Sequence, residues 1–307
     1  DADFVPAPDF LQKMMPSLLQ PSVGMVQACW SHINRDQSWL TRVQAMILDG
    51  HFIIEHTARF RANRFFNFNG TAGLWKRSCI EDAGGWAHDT VTEDLDLSYR
   101  AQMKGWRFVY RHDVMAPAEL PGTTRAFLTQ QHRWAKGTVQ TGRKLLSSIL
   151  AAPLPLGVRL EAANHMLMVW AYPVVFLLSI LFPPSVFIRS QLNIPSLLLA
   201  DLFAFTATTI SLGIFYAVAL RKRGESVRQR WWEIPLAMAV GVGFSGSQTL
   251  AVIEGALSND ATFERTPKQG QHTQRIRVPP IHRSRVFIST AMSVYYAFAL
   301  YWTVTNS

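Results

Sequence analysis

Long apolar runs with almost no charge, confined to the second half of the chain, constrain this fold more than anything else in the sequence. Residues 165–188 carry no formal charge apart from His165, residues 196–220 carry only Asp201, and residues 286–304 carry none. Each run is long enough to cross a bilayer as a tilted helix. Before about residue 160 the sequence is mixed and charged, so the pattern predicts a soluble α/β part followed by an α-helical membrane part. The formal net charge of +9 has its Lys and Arg gathered beside the apolar runs. That placement fits membrane topology and anionic lipid rather than nucleic acid. Cys29 and Cys79 are too few for a disulfide framework and have no metal-ligand spacing, so both are expected as buried, reduced thiols.

Basic residues orient the spans. The link 189–195 holds only Arg189, whereas 221–230 holds Arg221, Lys222, Arg223, Arg228 and Arg230. The second link, and the soluble part before the first span, are therefore expected on the cytoplasmic side. Residues 234–253 are also free of charge, but Arg265, Lys268, Arg275, Arg277, Arg283 and Arg285 follow them. Two cytoplasmic links cannot be joined by a single crossing. The centre of this run, Gly241 to Thr249, is polar and Gly-rich, so the expectation is an interfacial or re-entrant element packed on the spans.

In the first half, Val23 to Trp30 reads as a buried strand and Asp9 to Leu19 as a short helix. One or two helices cover Ser38 to Phe60. Phe65 to Gly73 alternates aromatics with amides and then turns to small residues, the pattern of a strand running into a ligand-facing loop. Lys76 to Ala83 is a short helix, and Val91-Thr92-Glu93-Asp94 opens another that runs through Met103. Thr92 suits its N-cap, and the first-turn carboxylates suit the helix dipole. Trp106 to Arg111 is a strand. From Arg125 to Leu150 the helical pattern is strongly two-faced, as in a helix lying at a membrane surface. Gln130, Arg133 and Trp134 share one face of it, a donor fork beside an indole. At the start, Asp1 and Asp3 would face one side of an extended segment and suit a hard divalent cation, Mg2+ or Mn2+. The chain begins at Asp1 without Met, which suggests a piece of something longer.

Taken in order, Asp-Ala-Asp, Phe-Asn-Gly-Thr-Ala-Gly, Thr-Glu-Asp, Gln-Gln-His-Arg-Trp, apolar spans and Phe-Glu-Arg-Thr-Pro-Lys resemble the processive family-two glycosyltransferases. The stretch from Phe66 through Trp134 is most similar to the mannan and glucomannan synthase branch of the cellulose synthase superfamily and its bacterial relatives. The resemblance implies the C-terminal half of a GT-A type α/β domain in residues 1–123. It also implies interfacial helices in 124–163 and a transmembrane region in 164–307 with a gating-like loop at 259–285. It implies Asp94 as general base, Asp1 and Asp3 as metal ligands, and Gln130, Arg133, Thr266 and Lys268 around the donor diphosphate. Trp134, Phe68, Asn69, Gly70, Thr71 and Glu93 fall at the acceptor, and Phe263 and Arg265 in the gating loop, where Arg265 departs from the family's Val. The nucleotide-base half that precedes the Asp-x-Asp in the family is missing here, so this stretch alone is expected not to turn over.

The function so implied is inverting, metal-dependent transfer of a sugar from GDP-mannose or UDP-glucose to a growing β-glycan, with extrusion of the polymer. The enzyme would sit in a membrane, a bacterial inner membrane by its nearest likeness, with its catalytic part cytoplasmic. Its partners would be a nucleotide sugar, a glycan acceptor and the bilayer. Two other readings remain at this level: a lipid-directed glycosyltransferase, and a membrane transporter or lipid-binding protein without catalysis.

Overall fold

The computed structural model describes residues 3–192, 195–262 and 283–306. Helix α1, Phe10–Leu18, leads into strand β1, Val23–His32. The first seven residues of β1 are all buried, as a central strand covered on both faces requires. Helix α2, Trp39–Asp49, is opened by a capping box between Ser38 and Thr41. It widens into π-helical turns over Gly50–His56 and closes as α3, Thr57–Arg61. A β-carbon on Gly50 would strike the ring of Phe215, so the widened turn sits where a later helix makes its closest approach.

Strand β2, Gly73–Trp75, helices α4, Arg77–Asp82, and α5, Glu93–Met103, and strand β3, Arg107–Ala118, complete the α/β unit. The sheet is mixed, in the order β2-β1-β3, with β2 antiparallel and β3 parallel to β1. Strand β3 runs past the expected end at Arg111. Ala28 pairs with Arg111 but Cys29 with Met115, so residues 112–114 bulge, with His112 and Asp113 exposed and Val114 buried, and the ladder resumes. The strand expected over 65–68 is corrected: these residues join no ladder. Their backbone groups are taken by α5 side chains instead, Phe68 N donating to Ser98 Oγ at 2.9 Å and Phe66 N to Gln102 Oε1 at 3.2 Å.

Helix α6, Thr124–Ala151, matches the two-faced helix expected there and is capped by Thr123. It is followed by α7, Leu156–Leu167, a single turn at Met168–Trp170, α8, Ala171–Leu192, α9, Pro195–Lys222, α10, Val227–Arg230, α11, Glu233–Leu257, and α12, Arg283–Asn306. Among the described residues, Leu156–Arg189, Leu199–Lys222 and Glu233–Leu257 are long and apolar enough to cross a membrane. The expected spans at 165–188, 196–220 and 286–304 all fall within helical segments. The first expected span starts inside α7, which holds His165. Its Nδ1 lies 2.5 Å from the Tyr99 hydroxyl, and Glu161 accepts from Arg59 at 2.7 Å, so α7 packs on the α/β unit.

The segment at 234–253 lies within one unbroken helix, α11. Its polar centre is covered by protein: Ser245, Ser247 and Gln248 are all buried. Ala237 packs with Val43 and Met46 of α2, Phe244 meets Phe127 of α6 at 5.3 Å, and Glu254 pairs with His132 and Lys136 of α6 at 2.8 and 3.0 Å. Both ends of a helix about 37 Å long therefore touch the elements that precede the apolar helices.

A buried knot of charge ties the two parts together. Asp49 is fully buried and takes Arg35 at 2.8 Å, His32 at 3.0 Å and Arg223 of the α9–α10 link at 2.8 Å. Burial pushes its carboxyl up, but the His32 hydrogen bond and the Arg223 and Arg35 charges outweigh that and hold it below its ordinary value. Arg35 also reaches buried Glu233 at 3.2 Å, and Arg230 reaches Glu233 at 2.9 Å and Asp36 at 3.0 Å.

Candidate active site

The amino end of α5 carries Glu93, Asp94 and Asp96 in its first turn, where outward-pointing amides favour negative charge. The three carboxylates have separate surroundings. Asp96 is fully buried and taken up by Arg100 at 2.6 Å and Lys144 at 2.9 Å. Asp94 accepts from Leu95 N through Oδ1 at 2.8 Å. It lies deep in the fold but keeps part of its surface open. Desolvation there, reinforced by the Glu93 charge, raises its pKa to about 7, against the pull of the Leu95 amide and Arg133. A carboxylate so placed can exchange a proton near neutral pH. Thr92 departs from expectation. Its hydroxyl makes no cap hydrogen bond and instead lies 3.1 Å from the Thr141 hydroxyl of α6.

The loop 69–72 is held against Asp94 by one buried side chain. Gln27 of β1 donates to the carbonyls of Thr71 and Ala72 at 3.1 and 3.2 Å and accepts from Asn69 N at 3.1 Å. Gly70, at φ +76°, faces Oδ2 of Asp94, and Ala72 is also at positive φ. Ser98 joins the two elements again, donating to Asp94 O at 2.6 Å while accepting from Phe68 N. Asn69 donates to His51 Nε2 at 3.2 Å, and His51 Nδ1 donates to Glu55 at 3.0 Å. Both come from the π-helical turns, which bring them to the loop. His56, from the same turns, is buried, and burial drives its pKa well down, so neutral Nε2–H donates to Asn67 O at 3.2 Å.

Helix α6 supplies the opposite wall. Gln130 is buried, and Arg133 and Trp134 are partly exposed on the same face. Desolvation lowers the pKa of Arg133 while the charges of Asp94 and Glu93 oppose that shift, which places the guanidinium within their field. Further along α6, Gln140 accepts from Val91 N at 3.1 Å and Lys144 donates to Asp89 at 2.8 Å. Gly137, one turn before Gln140, must stay without a side chain, because a β-carbon there would overlap the Thr92 side chain. These contacts fix the height of Asp94 over the helix.

Of the residues expected at the site, Asp94, Glu93, Asn69, Gly70, Thr71, Gln130, Arg133 and Trp134 lie on the elements that converge here. Phe68 does not face an acceptor: its ring is buried in the core, 5.7 Å from Trp75. Asp1, Phe263, Arg265, Thr266 and Lys268 lie outside the described residues. Asp3 is held beside the end of β3, its carbonyl accepting from Glu119 N at 3.1 Å. No cluster of three potential ligands occurs among the described residues. A carboxylate in a turn fixed beside β3 nonetheless suits a cation that shares its coordination with substrate phosphates. Gln27, Ser98, Gln102, His51 and Glu55 were not singled out from sequence. Only Gln27 leaves a signal there, as the lone amide in an otherwise apolar buried strand.

An α/β unit with a near-neutral carboxylate at a helix start, a glycine loop against it and an Arg-Trp helix leading to apolar helices defines a glycosyltransferase domain of the GT-A kind. The chain belongs to the glycosyl transferase family group 2, which it matches over residues 1–220. It is 46% identical over 151 residues to glucomannan 4-beta-mannosyltransferase 2 of Arabidopsis thaliana, covering 49% of this chain and 28% of that protein. It is 48% identical over 151 residues to glucomannan 4-beta-mannosyltransferase 1 of Oryza sativa subsp. japonica, covering 49% and 29%. The matched stretch thus spans less than a third of these relatives. Among solved structures, a mannosyltransferase from Pyrobaculum calidifontis in complex with GDP-Man and Mn2+ aligns at TM-score 0.44 and 19% identity, over 82% of this chain and 59% of that one.

Proposed function

We propose that this chain carries the acceptor-side half of an inverting glycosyltransferase that extends a β-glycan from a nucleotide sugar and passes the polymer into the membrane. The observation that carries the reading is Asp94: a partly open carboxylate raised to about 7, set against Gly70 and within the field of Arg133. Asp94 takes the proton from the acceptor hydroxyl as that oxygen attacks the anomeric carbon in line. The bond from that carbon to the diphosphate breaks, and the electron pair leaves on the diphosphate oxygen. Base assistance of this kind contributes about 10²–10⁴-fold, and Arg133 stabilises the leaving charge. A divalent cation held by Asp1 and Asp3 supplies further neutralisation of the diphosphate when bound.

Gln27, Ser98 and the His51–Glu55 pair hold the loop 69–72 so that the acceptor hydroxyl meets Asp94, while Trp134 offers a face to its terminal ring. A mannosyl donor such as GDP-mannose is the first to test, because both relatives are named as mannosyltransferases. The contacts of α11 with α2 and α6 at its two ends favour a helix lying along the cytoplasmic unit. The chain then follows the basic residues, with α8 and α9 as a pair of crossings. Intact protein in membranes, offered a panel of labelled nucleotide sugars with linkage analysis of the product, tests the reading. A polymer dependent on Asp94 supports it. A labelled lipid as sole product would assign the lipid-directed alternative, and absence of transfer from every donor would overturn both.

A further inference from the structure

Helix α7 has two faces, and only one of them is used by the α/β unit. Val158, Ala162 and Met166 are buried in one cluster with Tyr99, Leu145 and Ile149. On the other side Leu156, Leu160 and Leu167 are 60%, 55% and 46% exposed, and at about 100° per residue they fall within about 40° of one another. This apolar stripe continues into the exposed Val174, Leu177 and Leu178 of α8. The run Leu156–Arg189 has 34 residues, about 51 Å of helix against about 30 Å of hydrocarbon. The 22 residues of α8 suffice for a crossing, so α7 is left outside it. Cations border the stripe, with Arg159 about 60° beyond it on one side and Gly157 about 60° beyond it on the other. A β-carbon on Gly157 would stand 3.2 Å from the Arg64 guanidinium, so that cation lies on the helix. Arg61, at the end of α3, is exposed. Among the described residues neither Arg61 nor Arg64 makes an ion pair or a side-chain hydrogen bond.

An apolar stripe flanked by arginines is the pattern of a helix lying in the membrane interface, with its cations drawn to anionic phosphates. The inner face of α7 is linked to the loop at Asp94. Arg59, itself buried, donates to Glu161 at 2.7 Å and to His165 Nε2 at 3.3 Å. On its other side it stands 4.0 Å from Glu55, which holds His51, and His51 holds Asn69. A shift of α7 therefore reaches the loop 69–72 through side chains in contact. We propose that α7 lies flat in the headgroup layer with Arg61, Arg64 and Arg159 seated on anionic phospholipid, and that this lipid tightens acceptor binding through Arg59.

Leu160→Cys in the intact membrane protein, carrying an environment-sensitive fluorophore, tests the seat in nanodiscs that mix phosphatidylcholine and phosphatidylglycerol; the native Cys29 and Cys79 are buried. Brominated phosphatidylglycerol should quench the label at least about fivefold more strongly than brominated phosphatidylcholine at equal mole fraction, the scale of one arginine at an anionic surface. Arg61→Gln combined with Arg64→Gln should remove most of that preference at unchanged Tm. A label quenched by neither lipid, or by both alike, overturns the seat. So does loss of the preference to inorganic phosphate when sodium chloride of equal ionic strength has no effect, because the site would then be one for a soluble phosphate. Quenching needs no turnover, so it judges α7 whether or not Asp94 acts as the base. The link to the loop rests on the transferase reading above and is read in KM against kcat. With phosphatidylglycerol the KM for an acceptor oligosaccharide should fall severalfold at constant kcat, and Glu161→Gln should keep the quenching preference but lose that response. A KM indifferent to phosphatidylglycerol, or a response that survives Glu161→Gln, overturns the coupling.

Discussion

A β-carbon on Gly70 would stand 3.3 Å from Oδ2 of Asp94. The loop thus comes as near to the base as a glycine permits, and the contact leaves that oxygen facing bare backbone where an acceptor hydroxyl can approach.

Gly70→Ala should therefore impair transfer more than stability. At φ +76° an alanine costs about 1–2 kcal/mol, and its methyl crowds the oxygen that receives the proton. Initial rates with saturating donor should fall at least tenfold while Tm drops by a few degrees. A variant with normal rate and normal Tm would show that the loop does not abut the reacting oxygen.

The pKa of about 7 at Asp94 sets the pH dependence. The base must be ionised, so the rate should climb through about pH 7 and level off above it. Stability runs the other way. With its folded value above the unfolded one, near 3.9, the folded state binds more protons over that interval, and Asp94 withdraws stability as pH rises towards 7. Asp94→Asn should cost about 10²–10⁴-fold in rate and raise Tm at pH 8 more than at pH 5. Equal Tm changes at both pH values would contradict the raised pKa.

Thr92 and Gly137 form a matched pair across α5 and α6. Gly137→Ala should force the helices apart, lower Tm and reduce transfer; Thr92→Ala alone, losing the contact with Thr141, should cost about 1 kcal/mol. Combining the two should recover part of the Gly137→Ala loss, a coupling that a double-mutant cycle reads directly. Strict additivity would mean that the two side chains do not meet.

Labelling tests the placement of α11. Cysteines introduced at Lys222 and Ser258 should react with a membrane-impermeant maleimide from the same side. The native Cys29 and Cys79 are buried, and burial pushes both thiols up, Cys79 to about 12, so they should stay silent. Reaction from opposite sides would make α11 a crossing.

Much of this was readable from residues, and the failures have causes. Apolar run lengths located α8, α9 and α12, and the helix start at Asp94 followed from the polar residues before it. The strand expected at 65–68 did not form because Ser98 and Gln102, thirty residues and more away, satisfy that backbone better than a ladder would. Thr92 looked like a cap because local sequence cannot reveal Thr141 across the interface. The Gly-rich centre of 234–253, expected in an interfacial or re-entrant element packed on the spans, lies within one unbroken helix whose Ser and Gln side chains are covered by packed neighbours. Nor does any local pattern bring His51 and Glu55 to Asn69; the π-helical turns do that.

The knot at Asp49 bears on how the molecule can be taken apart. Asp49, Arg35 and His32 come from the α/β unit, whereas Arg223, Arg230 and Glu233 come from the far side of two apolar helices. A truncation before α8 would strip Arg223 from Asp49, orphan Arg35 from Glu233 and bare the apolar face of α2 that Leu220 and Ala237 cover; breaking one partner from such a buried set typically costs about 3–5 kcal/mol. The α/β half is thus not a detachable module: it should acquire its native shape only after the helices downstream have been made and brought back to it.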